Sequence, residues 1–200
     1  MNPTRATLAL VAALALPTTH AGAQHGPGSP PTQTNAPREA KQFDFLVGQW
    51  ALTAEPKVSV LVATFHGQPK LPGTWKAWRA LDGFGIEDEM RLTDDAGNPR
   101  SLAHSVRVWN RQARKWSSST LDVYRSRFSE ASAEWKGGVM TLTTRGTADD
   151  GRPYVLRAHF YDIRPNAFRW RQDRSYDGGR TWDEGTLRIE AKRVAAVAPR

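Results

Sequence analysis

Apolar and polar residues alternate along most of the chain from Gly48 onward, in short runs broken by turn residues. Period-two alternation sends successive side chains to opposite faces of a strand. The runs are "GQWALTA", "KVSVLVATF", "GTWKAWRAL", "FGIEDEMRL", "SLAHSVRVWN", "KWSSSTLDVY", "RFSEASAEW", "VMTLTTRG", "YVLRAHFYDIR", "FRWRQDRSY" and "WDEGTLRIEAKR". Asp-Gly, Asn-Pro and Gly-Gly elements separate them at hairpin spacing. One segment breaks the rule: in "FDFLVG", Phe43, Leu46 and Val47 share a side at helical spacing. The pattern predicts an all-β chain of about ten strands with a short N-terminal helical turn that plugs one end. A long antiparallel meander exposes two edges, and closure into an up-and-down β-barrel removes them. A barrel of that size encloses room for a small ligand among its packing side chains.

The ends read differently. Arg5, the apolar run Leu8 to Leu16 and the small residues Ala21-Gly22-Ala23 predict a secretory signal peptide over residues 1–23, cleaved after Ala23. The expected location is periplasmic or secreted. Residues 24–41, rich in Pro and Gly, predict a flexible linker. The barrel domain is expected over 42–193, with a disordered tail over 194–200. No later stretch is apolar enough for an integral membrane segment.

Composition narrows the chemistry. With no cysteine, the chain has no disulfide, thiolate-metal or cysteine-nucleophile option. The net charge of +8 favours anionic surfaces, but the arginines are spread singly along strands, so nucleic-acid binding is not expected.

Several segments together carry a family resemblance. "FDFLVGQWAL", "RALDGFGIEDEMRL", "VRVWNRQARKWSSSTLD" and "RWRQDRSYDGGRTWDEGTLRIEAKR", in that order, resemble the bacterial domain of unknown function 1579 family of exported, uncharacterised domains. The resemblance spans most of Phe43 to Arg193 and implies a lipocalin- or calycin-like barrel. It implies no activity and no catalytic residue. In barrels of this kind a tryptophan placed like Trp50 closes the base beneath a basic side chain, here Arg193 or Arg188.

The candidate chemistry is sparse. His104 and His159 sit within strands and could meet across the barrel, but no ligand spacing singles out a metal, and no cofactor is expected. No nucleophile elbow is present, and no catalytic residue is assigned. A binding cavity is the stronger reading. On the inward faces that alternation suggests, Arg79, Asp88, His104, Tyr124 and Trp170 are the candidate cavity-lining residues. In that register Leu102, His104, Val106 and Val108 point inward. The expected function is binding of a small apolar or amphipathic molecule. The alternatives are an enzyme using Asp88, Tyr124 and Arg79, or a ligand-free envelope interaction protein.

"RSYDGGRTW" looks like the Asp-box of sialidase and related propeller repeats. It occurs once, whereas a propeller needs several blades. It is therefore read as a hairpin turn: Asp177 accepts hydrogen bonds from turn amides and Thr181, Gly178 and Gly179 take positive φ, and Trp182 packs over the turn.

Overall fold

Ten antiparallel strands pair in sequence order and then close on themselves in the computed structural model, which describes residues 35–195. They are β1 (Gly48–Pro56), β2 (Leu71–Ala80), β3 (Gly85–Thr93), β4 (Pro99–Asn110), β5 (Lys115–Asp122), β6 (Arg127–Lys136), β7 (Val139–Thr147), β8 (Pro153–Arg164), β9 (Ala167–Ser175) and β10 (Asp183–Ala195). β1 pairs with β2 on one side and β10 on the other, so the sheet has no free edge. The expected signal peptide, most of the linker and the last five residues lie outside the described residues. Among the described residues no helix is long and apolar enough to cross a membrane.

The expected strand "KVSVLVATF" is instead a short helix, α1 (Val60–His66), in the β1–β2 connection. β1 already has both of its pairing sides occupied, so a further strand has nothing to join. Ser59 begins the helix by accepting a hydrogen bond from the Val62 amide. Val60 and Phe65 are 84% and 74% exposed, so apolar character here reports no core contact.

The helical turn at the N-terminus is a 3-10 helix over Arg38–Leu46, longer than expected. It begins four residues ahead of the anticipated domain start, and Ala40, assigned to the linker, is buried. At the other end β10 continues to Ala195, past the expected boundary at 193.

This 3-10 helix closes one end of the barrel. Phe43 and Leu46 are fully buried, with Phe43 edge-on to Trp116 at 4.8 Å and 6.2 Å from Phe160. Trp50 lies beneath it, edge-on to Phe168 at 4.7 Å, and its Nε1 donates to the Leu46 carbonyl at 2.8 Å. Of the two arginines the sequence offered, Arg193 covers the ring, at 4.0 Å. Arg193 also donates to the carbonyls of Val47, Phe45 and Pro165, so it ties β10 to the plug and to the β8–β9 turn.

The Asp-box segment is a turn, as its single occurrence suggested. Both Asp177 carboxylate oxygens accept from the Thr181 amide, at 2.9 and 3.0 Å, and from the Arg180 amide and the Thr181 and Ser175 hydroxyls. Gly178 and Gly179 adopt φ of 76° and 98°. The segment has a second role that its motif did not announce. Trp182 stacks on Arg157 at 4.1 Å, which folds the turn against the outer face of β8 and β9. There Asp173, with 0% side-chain exposure, accepts from Arg171, Arg157 and the Gly185 amide. Burial alone would raise the Asp173 pKa; the Gly185 amide and the two guanidinium groups overcome it and hold the carboxyl below its usual value.

The hydrogen bonds from Thr181 and Ser175 hold the Asp177 carboxyl well below the usual carboxylate range. A folded-state pKa that is depressed contributes stability above the unfolded value, about 3.9, and loses it as pH falls toward the folded one. Asp177→Ala should therefore lower the melting temperature by a few degrees at pH 7 and leave the barrel interior unaltered. The gap from the parent protein should narrow below about pH 4. Thermal unfolding followed by circular dichroism from pH 7 to pH 2 checks this. A gap that stays constant to pH 2 would mean that the carboxylate is not what holds the turn.

Candidate binding cavity

The plug fills one end of the barrel, and the other half holds a cavity of about 200 Å³. Its walls follow the inward alternation of eight strands, β2 to β9. β8 gives Tyr154, Leu156, Ala158 and Phe160, and β9 gives Trp170 and Gln172. β2 contributes Trp75, and β3 contributes Asp88 and Met90. Trp75 and Phe160, 5.4 Å apart, separate the cavity from the aromatic plug. Hydroxyls of Ser105, Thr120, Ser129 and Thr144 break a mostly apolar surface. Ser105 and Thr120 satisfy each other across β4 and β5 at 2.9 Å.

A buried ion pair stands in the wall. Arg107 and Asp88 are both almost wholly buried and are in direct contact. Asp88 also accepts from Trp75 Nε1 at 2.8 Å, and Arg107 lies 5.4 Å from the Phe43 ring centre. Burial pushes the Arg107 pKa down to about 9, which still leaves the guanidinium charged at neutral pH. Arg107 Nε has no hydrogen-bond partner.

The anticipated site residues divide sharply. Asp88 and Trp170 line the cavity. His104 does not: it faces outward, 3.7 Å from Glu87 and with its ring 6.0 Å from Trp78. The inward face of β4 is Ala103, Ser105 and Arg107, and the expected set of Leu102, His104, Val106 and Val108 is the outer one. The physical reason is the ion pair. Asp88 sits opposite Ser105 across the β3–β4 ladder, and its charge draws Arg107, on the same face, inward. A one-residue difference in phase then turns every β4 side chain over.

Arg79 follows the inward alternation of Trp75 and Ala77 but lies past the cavity, at the plugged end, paired with Asp44 of the 3-10 helix. Tyr124 lies beyond the end of β5, in the turn to β6, and is 47% exposed. Asp88, Arg79 and Tyr124 therefore share no site. His159 also faces outward, with Nδ1 3.1 Å from the Thr141 hydroxyl, so the two strand histidines do not meet inside the barrel. Among the described residues no group of three His, Asp or Glu side chains is placed to hold a metal ion.

A larger hollow, lined by Val106, Val108, Ser117, Ser119, Glu130 and Thr143, lies outside the barrel. It is the curved outer surface of β4 to β7, not an enclosure. The residues that alternation does not mark, above all Arg107 and Tyr154, are those whose inward position depends on neighbours in other strands.

No protein-family model and no curated protein matches the sequence at a significant level. Among solved structures the chain is similar to an S-type phycobiliprotein lyase from Guillardia theta, over 80% of this chain and 93% of that one. The identity is 10% and the TM-score 0.46.

Proposed function

We propose that the barrel binds a small apolar or amphipathic molecule in its interior, as an exported binding protein and not as an enzyme. The observation that carries this reading is the cavity of about 200 Å³ walled by Trp75, Phe160, Trp170 and Leu142, with a few hydroxyls and one ion pair. Mostly apolar concavities with a few placed polar groups are what small-molecule sites are made of. A cavity of about 150 Å³ takes benzene, so this one suits a benzene-sized group and a short polar extension. The unpartnered Arg107 Nε is a donor that a polar ligand atom or an ordered water could satisfy. Export rests on Arg5, the Leu8–Leu16 run and the Ala21-Gly22-Ala23 site, and membership of the exported family rests on the segments that resemble it. The enzyme alternative loses its support because Asp88, Arg79 and Tyr124 lie apart.

Filling the cavity tests the reading. Ala158→Phe places a ring into the space between Phe160 and Leu156. It should weaken binding of a small fluorescent apolar probe at least about tenfold while the far-ultraviolet dichroism stays that of a barrel. Unchanged probe affinity would locate the binding elsewhere and overturn the proposal. Native mass spectrometry of protein purified from its own host should show a bound small molecule. Repeated absence of one would favour a ligand-free interaction protein.

A further inference from the structure

Arg174 is an inward-facing cation that no carboxylate of the described residues pairs. It stands on β9 opposite Leu156, two positions beyond the cavity residue Gln172, on the same face and toward the open end. Its cross-strand neighbour on β10, Asp183, is paired with Lys57. The contacts of Arg174 are with tyrosines instead. Its Nη1 donates to the Tyr176 hydroxyl at 3.2 Å, and its guanidinium lies 5.8 Å from the Tyr154 ring centre. Its Nε is buried and has no hydrogen-bond partner.

The arginine of the cavity wall and those of the outer β8–β9 cluster and the β7–β8 turn are matched. Arg107 has Asp88, Arg157 and Arg171 have Asp173, and Arg152 has Asp150. An unmatched cation in a partly desolvated position costs stability unless something offsets it. Tyr154 is also specially accommodated. A Cβ at Gly146 would come within 2.5 Å of its hydroxyl, so the glycine lets the phenol lie along the cavity wall beside Arg174.

We infer that Arg174, with Tyr154 next to it, receives the carboxylate of a small monoanionic amphiphile whose apolar group fills the cavity. The inference rests on the cavity reading and adds the charge and orientation of the ligand. A guanidinium presents a planar pair of donors that matches a carboxylate. Among the described residues the one cation in the cavity wall itself is Arg107, which Asp88 already neutralises, whereas Arg174 stands just beyond the wall, toward the open end. A ligand's negative charge therefore gains most at the mouth, and its apolar end goes down toward Trp75 and Phe160.

The probes are 3-phenylpropionate and 3-phenyl-1-propanol, which share a benzene-sized group and differ in charge. Isothermal titration at moderate salt should show the acid binding the parent protein at least about tenfold more tightly than the alcohol. Arg174→Gln should remove that preference, weakening the acid about tenfold or more and leaving the alcohol within about twofold. Arg174→Lys should restore part of it, and the alcohol serves as the control for an intact cavity. Equal affinities for the two compounds in the parent protein overturn the inference and leave the cavity reading standing. So does a preference that survives in Arg174→Gln. Binding of neither compound by the parent protein overturns the inference too. The Ala158→Phe measurement with the apolar probe then decides the cavity reading separately.

Discussion

Asp88→Ala is expected to destabilise the barrel by about 3–5 kcal/mol, the usual effect of removing one partner of a buried ion pair. The loss comes less from the attraction that disappears than from what stays behind. Arg107 would remain charged, almost fully buried and without a carboxylate, between the Phe43 ring and the cavity. Trp75 Nε1 would lose its acceptor as well. The double variant Asp88→Leu/Arg107→Met should recover most of the loss, because apolar replacements of similar volume leave no charge to desolvate. Chemical denaturation of Asp88→Leu, Arg107→Met and the double variant closes the cycle and gives the coupling directly. Additive effects, with the double variant less stable than either single one, would show that the pair does not act as a unit. The same variants report on β4. If the ion pair sets its phase, Asp88→Ala should disturb the inward packing of Ser105 and Arg107 more than the outer-face cluster of Asp173, Arg157 and Arg171 on β8 and β9.

Trp50→Ala is expected to cost a similar amount, about 3–5 kcal/mol, through a large cavity at the base. Trp50 joins three parts of the chain: the 3-10 helix through the Leu46 carbonyl, β9 through Phe168, and β10 through the Arg193 cover. Its truncation should therefore loosen the plug as well as the barrel, lowering the melting temperature by about 10 °C or more. Trp50→Phe keeps most of the ring packing but loses the hydrogen bond to Leu46, and should cost nearer 1 kcal/mol plus the reduced ring volume. Hydrogen exchange distinguishes a loosened plug from a uniformly weaker barrel. Amides of residues 40–47 should lose protection first in Trp50→Ala. Uniform loss across the strands would assign Trp50 to the barrel alone.

What was legible in the sequence follows a pattern. The Asp177 turn could be read because its partners lie within four residues and its glycines state their backbone conformation outright. The Trp50 base could be read from a resemblance, with the choice between Arg193 and Arg188 left to the structure. On β2, β5 and β9 alternation points to the inward face, because a large aromatic, Trp75, Trp116 or Phe168, is buried on each. On β4 alternation points to the wrong face, because its valines lie outside while its inward positions hold Ser105 and Arg107. Arg79 and Tyr124 lie away from the cavity for another reason. Alternation says which side a residue faces, not how far along the barrel it sits. The α1 segment misled because apolar residues at alternating positions describe a strand only where a partner strand is open.

The sequence by itself determined that this chain alternates, turns at hairpin spacing and must hide its edges, so the antiparallel meander and the N-terminal helical turn are local consequences of residue order, and closure is the way such a meander removes its edges. Tertiary structure alone decided the phase of β4, the level of each side chain along the barrel and the company that each charge keeps. Those depend on contacts between residues far apart in the chain. Asp88 finds Arg107 across a strand pair, whereas Arg174 finds only tyrosines because Lys57, from beyond β1, has taken the carboxylate opposite it. Period-two patterns are symmetric under exchange of the two faces, and only the summed burial and charge pairing of all ten strands breaks that symmetry.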